Sequence, residues 1–344
     1  MKNEIYRMVL ILAILATIAA TSSCGITDNN SDRLRISLTA PIKPSDVQTI
    51  FGPVHYGPEF ALDITADDFL TFESHATAAQ SVLAGETSIV GGSFISNLLL
   101  REVGQDFKSF CPFSNLDDYV IAGRGGINQV EQLFDPNVRV AIDSPGGAGS
   151  AALNAMIKAA GINQTVADIP NLRILESSGL RASVFMANQV DMTALHLVQL
   201  RQLHEQVPDA VAISSLYEDV PMFIKKAYAA RTQWLNENQE LAGAFCASVL
   251  KASRELPKDF GLFVSAVNQF VGEPPSEEVL REIFNIISTY EFWPENGGLD
   301  TESILFMAEL GRSSGLLKNI PNPEEVIDRR PVKRALELLK VKNN

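Results

Sequence analysis

The stretch VRVAIDSPGGAGSAALNAMIKAAG, residues 138–161, decides the fold class of this chain. Val138, Val140 and Ile142 alternate as a buried strand does, and Pro145 cannot continue it because it lacks the N–H a ladder needs. Gly146, Gly147 and Gly149 open conformations and close approaches that a Cβ would block. From about Ser150, the residues Ala152, Ala155, Met156, Ala159 and Ala160 recur at helical spacing, and Gly161 suits the left-handed position that closes a helix. The helix start offers unpaired backbone N–H groups beside the Ser144 and Ser150 hydroxyls, a place for an anionic or strongly polar group. Ser144, Gly146, Gly147, Ala148, Gly149 and Ser150 are therefore candidate ligand contacts. The alternative is that the glycines serve only the turn.

The same stretch excludes familiar chemistries. No Gly-Lys-Ser/Thr follows the turn, so it lacks the lysine of a nucleoside-triphosphate loop, and Gly-x-Gly-x-x-Gly is absent. Ser93, in GGSFIS, has no glycine two residues later and forms no nucleophile elbow.

Outward from this unit, strands and helices alternate. Strands are expected at 35–39, 69–72, 88–90, 107–110 and 119–122 on one side, and at 172–175, 190–194 and 210–213 on the other. Helices are expected at 53–62, 76–84 and 97–103, then at 178–188 and 196–205. Strands alternating with helices imply sheets covered on both faces. After Tyr217 the pattern turns helical, with helices at 234–253, 259–270, 277–290 and 301–313 and little strand between them. Residues 316–344, with their basic end, read as a peripheral tail.

Lys2 and Arg7 precede a continuous apolar run at 8–20, too short for a comfortable membrane span, and Thr21-Ser22-Ser23 precede Cys24. This is the layout of an export signal over 1–23. It resembles a bacterial lipoprotein cleavage box, with Cys24 as the lipidated residue and 24–32 as a polar tether; simple secretion is the alternative. The balance of 41 acidic against 28 basic residues argues against a nucleic-acid partner. Besides Cys24 there are Cys111 and Cys246. Cys246 lies in the helical pattern of Leu241, Phe245 and Val249, so a buried free thiol is expected rather than a bridge. His196 and His204 are too far apart to ligate from adjacent turns, so no metal site is expected.

Four stretches, taken together in order and spacing, resemble a known family: SVLAGETSIVGGS (81–93), the 138–161 unit, VFMANQVDMTALH (184–196) and WPENGGLD (293–300). They are similar to the periplasmic solute-binding proteins of ABC importers, in the nitrate/sulfonate/thiamine-pyrimidine branch, over residues 33–315. The resemblance implies an α/β, two-lobed type II periplasmic-binding fold, with mixed sheets flanked by helices and a ligand cleft between the lobes. Lobe I would be 33–122 and 218–315, and lobe II 123–217. The strand ends would deliver Pro41, Ser93, the 144–150 turn and His196 to that cleft. Ser93 is either a pocket residue or a helix cap, and His196 either a donor to the ligand or a cap. Tyr56 or His55 would supply an aromatic wall, Arg124 or Arg181 a counter-charge, and Trp293 would pack within lobe I.

The implied function is a non-enzymatic extracytoplasmic receptor, lipid-anchored at the membrane or periplasmic. It would deliver a small anionic or heterocyclic solute to an ABC permease and its ATPase, with no cofactor. Two readings compete with it. One is an enzyme like the pyrimidine-forming synthases of thiamine biosynthesis, which carry a cysteine-rich motif and a pyridoxal-phosphate lysine; Cys111 and Cys246 are far apart in sequence and form no such cluster, and an export signal fits cytosolic cofactor chemistry poorly. The other is the binding component of a sensor system.

Overall fold

The computed structural model describes residues 33–342, apart from 40, 144–147, 176, 205 and 221. The export signal, Cys24 and the tether lie outside the described residues, as do Ser144, Gly146 and Gly147. No helix among the described residues is long and apolar enough to cross a membrane.

Two five-stranded sheets share one strand pattern. The first contains β1 (Ile36–Leu38), β2 (Phe69–Thr71), β3 (Ile89–Ser93), β4 (Phe107–Ser114) and β10 (Lys226–Arg231). The second contains β5 (Tyr119–Gly123), β6 (Val140–Ile142), β7 (Leu172–Ile174), β8 (Met192–His196) and β9 (Val211–Ser215). The orders are β2-β1-β3-β10-β4 and β7-β6-β8-β5-β9. In each, one strand runs against its neighbours: β10 is antiparallel to β3 and β4, and β5 to β8 and β9. Each reversed strand is the first after the chain crosses from the other sheet, at 115–118 and again at 216–225.

Side-chain alternation explains why both faces of each sheet are covered. In β3, Ile89 joins the main core while Val90 joins a second cluster with Val82 and Phe107. In β5, Ile121 faces the main core while Val120 and Ala122 face Phe185, Leu195 and Leu200. The helices Ala148–Ala159, Ser178–Met186 and Gln239–Glu255 supply much of that cover.

The structure corrects four expectations. The strand 119–122, assigned to lobe I, pairs in the second sheet, so the first crossing precedes Tyr119. The alternation of a strand does not say which sheet it joins. A strand missing from the sequence reading, β10, lies inside the region read as helical; its buried run Ala227, Tyr228, Ala229 and Ala230 lacks β-branched residues. The tail is part of lobe I: Ile327 bridges to Ser109, and the helix Arg330–Lys342 buries Ala335 and Leu339 while Arg334 reaches Glu240 at 2.8 Å. Cys111 and Cys246 form a disulfide, with Cα atoms 5.7 Å apart, tying β4 to the helix Gln239–Glu255. Their 135-residue separation hid the pairing from sequence reasoning.

The run expected as a helix at 53–62 begins earlier, at Gln48–Phe51, and continues through a wide turn, Gly52–Tyr56, and a tight one, Gly57–Phe60. Gly52 is required there: a Cβ would stand 2.6 Å from the Ser248 carbonyl oxygen of the helix packed against it.

Candidate functional site

The carboxyl ends of β1, β3, β6 and β8 meet where the two crossings pass between the sheets. Charged residues from both sheets and both crossings collect there. Lys43 and Asp46 follow β1, Asp117 and Asp118 lie on the first crossing, Lys225 and Lys226 end the second, and His196 ends β8.

Lys225 Nζ lies 2.8 Å from Asp117 and 3.5 Å from Asp46, and Lys226 Nζ lies 2.6 Å from Asp46. His196 places Nδ1 2.7 Å from Asp118 and Nε2 2.7 Å from the Lys43 ammonium. An ammonium only donates, so Nε2 must accept and the ring proton sits on Nδ1, facing Asp118. Tyr119 stacks on the imidazole at 4.3 Å between centroids. With the ring neutral, three carboxylates meet three ammonium groups in this cluster, so it carries no net charge.

Burial opposes the charges of Asp46, Asp118, Lys225 and Lys226, and the pairing decides which survives. Asp46 is penalised by burial, yet Lys225 and Lys226 hold its carboxyl below the usual range. Burial likewise works against Asp118, but His196, Asp117 and Lys225 reverse it and keep the carboxyl low. Lys225 resists burial because Asp117, Asp46 and Asp118 surround it, and its pKa is raised. Lys226 is lowered, by burial and by Lys225, against the pull of Asp46.

A second polar group stands at the start of the helix Ala148–Ala159. Asp143 accepts the Gly149 N–H at 2.8 Å and the Ser150 hydroxyl at 3.0 Å. Burial raises the Asp143 carboxyl, partly offset by Arg181. This revises the reading of Ser150 as a hydroxyl open to ligand: it is buried and donates to Asp143. Arg181 is also buried and donates to the carbonyls of Ala194 and Leu175, at 2.9 and 2.8 Å. Arg124 instead bonds the Phe185 carbonyl.

Of the other expected contacts, Ser93 and His196 come to the meeting of the sheets. Ser93 makes no side-chain cap to its helix. It lines an enclosed space of about 10 Å³ with Asp117, Tyr119, Ala151, Phe223 and Lys225. His196 and Asp118 border a larger cavity of about 420 Å³, with Lys43, Ser178, Gln199 and Glu273 on its wall. Pro41 is exposed, two residues before Lys43. Tyr56 is not brought to the cluster: it packs on Phe51 and His55 under Lys251, 4.5 Å from its ring. Trp293 is buried in lobe I, donating to the Ser45 carbonyl at 2.8 Å.

Sequence reasoning missed Asp46, Asp117, Asp118, Tyr119, Lys225 and Lys226. For all but Asp46 the signal was present in NLDDYVIA (115–122) and FIKKAYAA (223–230), where paired charges interrupt apolar runs. Such charges are seldom buried unless partnered.

Asp117, Asp118 and His196 offer donor atoms within 4.8 Å of one another, a spacing a metal ion can use. Each donor already faces a cation or a ring proton: Asp117 meets Lys225, Asp118 meets His196 Nδ1, and His196 Nε2 meets Lys43. A divalent ion would displace these pairs and leave two positive charges in excess.

No protein-family model matches the chain, and no curated protein matches its sequence. Solved structures do match its fold. A putative sulfonate ABC transporter's periplasmic sulfonate-binding protein from Methylobacillus flagellatus aligns with a TM-score of 0.70 and 13% identity, over 90% of this chain and 95% of that one. The periplasmic nitrate-binding protein of Synechocystis aligns at 0.66 and 13%, over 90% and 89%. A desulfurization enzyme aligns at 0.62 and 10%, over 89% and 99%. The chain therefore has the two-lobed fold of periplasmic binding proteins, one that also carries an enzyme.

Proposed function

We propose that this protein is an extracytoplasmic receptor that closes two lobes on a small solute and presents it to an ABC permease and its ATPase. One observation carries the reading. Two sheets of identical strand order turn their carboxyl ends toward each other, and buried polar groups from both converge where only two short crossings join them. Such a meeting of strand ends is where open α/β sheets hold ligands. Two crossings leave each sheet able to pivot, so solute contacts made by both lobes favour the closed form. Contacts between the lobes already join Arg201 to Glu282 at 2.7 Å and Lys43 to His196. Lipidation at Cys24 would hold the receptor beside its permease.

The fold alone does not exclude an enzyme. What favours the receptor is that His196, the histidine in this cluster, has both ring nitrogens engaged, by Asp118 and Lys43. Neither is offered to a nucleophilic hydroxyl. Thermal unfolding with and without a small-molecule ultrafiltrate of yeast extract tests the reading. A solute present at 100 times its Kd adds about 2.7 kcal/mol, and the lobes should close in small-angle scattering. Unchanged melting and an unchanged scattering profile would defeat it.

A further inference from the structure

We infer that the solute taken by this cleft is uncharged, and that the Tyr119 and Ser93 hydroxyls, one from each sheet, recognise it. The inference rests on the receptor reading and names its solute class.

The charges at the meeting of the sheets are already balanced. Asp46, Asp117 and Asp118 are matched by Lys43, Lys225 and Lys226, and Arg181, which donates to the Ala194 and Leu175 carbonyls, lies within electrostatic reach of Asp143. The start of the helix Ala148–Ala159 would otherwise attract an anion. The Asp143 carboxylate fills that role, taking the Gly149 N–H and the Ser150 hydroxyl. Residues 144–147, Ser-Pro-Gly-Gly, bring no side-chain charge. Closing the lobes on an oxyanion would therefore bury a charge with no counter-charge to spare, which is strongly disfavoured where water is excluded.

Among the described residues, the Tyr119 and Ser93 hydroxyls stand on this space without a hydrogen-bond partner. Tyr119 is buried, and among the described residues its hydroxyl makes no hydrogen bond. It lies within electrostatic reach of Asp117, Asp143, Arg181 and Lys225, and burial keeps the phenol protonated. Ser93 likewise makes no side-chain hydrogen bond among the described residues. Both line the same enclosed space, whose other walls include Ile95, Leu216 and Phe223. A hydroxyl both donates and accepts. A pair of them between balanced charges and apolar walls suits the carbonyl, amide or hydroxyl groups of a neutral solute. The space is close to the size of one water, so the solute enters with the lobes apart.

To test this, the purified protein is unfolded and refolded to strip bound solute, then dialysed against the yeast-extract ultrafiltrate. The solute released on a second denaturation is passed over anion and cation exchangers at neutral pH. It should pass through both. Rebinding of that fraction to Tyr119→Phe should be about two- to tenfold weaker, as expected for one lost hydrogen bond, with unchanged circular dichroism. Retention on the anion exchanger overturns the inference while leaving the receptor reading intact. Wild-type affinity in Tyr119→Phe also overturns it. If nothing is released, the receptor reading itself fails and takes this inference with it.

Discussion

The disulfide between Cys111 and Cys246 is open to a direct quantitative test. Replacing both cysteines by alanine avoids an unpaired thiol and removes one cross-link from the unfolded chain. The bridge closes a loop of 135 residues, for which the chain-entropy relation gives about 5 kcal/mol. For a chain of this size each kcal/mol moves Tm by about 2 °C, so the double variant should melt about 10 °C lower. Both cysteines are fully buried, so reductant should act on the folded wild type slowly and only through unfolding. Calorimetric melting of both proteins, with and without reductant, measures the shift. Peptide mapping of unreduced wild type should show the two cysteine peptides linked. Two free thiols in that map, or melting of the double variant within about 2 °C of wild type, would refute the reasoning.

His75 makes the protein acid-sensitive. Both ring nitrogens are buried without hydrogen bonds of ordinary geometry among the described residues, and burial lowers the pKa to about 4 from 6.5, against a smaller opposing effect of Asn97. Between those values the unfolded chain binds the proton and the folded chain does not. Stability therefore falls by about 3 kcal/mol as pH drops from 6.5 to 4, and urea midpoints of His75→Gln should lose that part of the slope; an equal slope in both proteins would count against it. Lys225→Met strands the carboxylate of Asp117, almost fully buried, and leaves Asp46 to Lys226 alone, and should cost about 3–5 kcal/mol in urea unfolding; a loss under about 1 kcal/mol would mean the pair is solvated. Gly52→Ala brings a Cβ to 2.6 Å from the Ser248 oxygen, and the forced shift should lower stability by about 1–3 kcal/mol; a melting curve matching wild type would show that the helix gives way freely.

The sequence by itself determined the α/β class, because strand and helix periods are local. The alternation at Val138–Ile142 and the helical spacing through Ala160 needed no distant partner to be legible. The capping and breaking residues were equally local: helices start after Ser276 and Asp300, whose side chains accept backbone N–H groups. The tertiary structure alone decided which strands lie side by side. KAYAAR becomes a central strand, β10, because β3 and β4 stand open on either side of it, a circumstance its alanine-rich sequence does not encode. The Cys111–Cys246 bridge depends in the same way on where the helix Gln239–Glu255 crosses the sheet. So does the charge cluster. A lysine at 225 and an aspartate at 46 lie far apart along the chain. Only the fold buries them 3.5 Å from each other, where neither could remain charged alone.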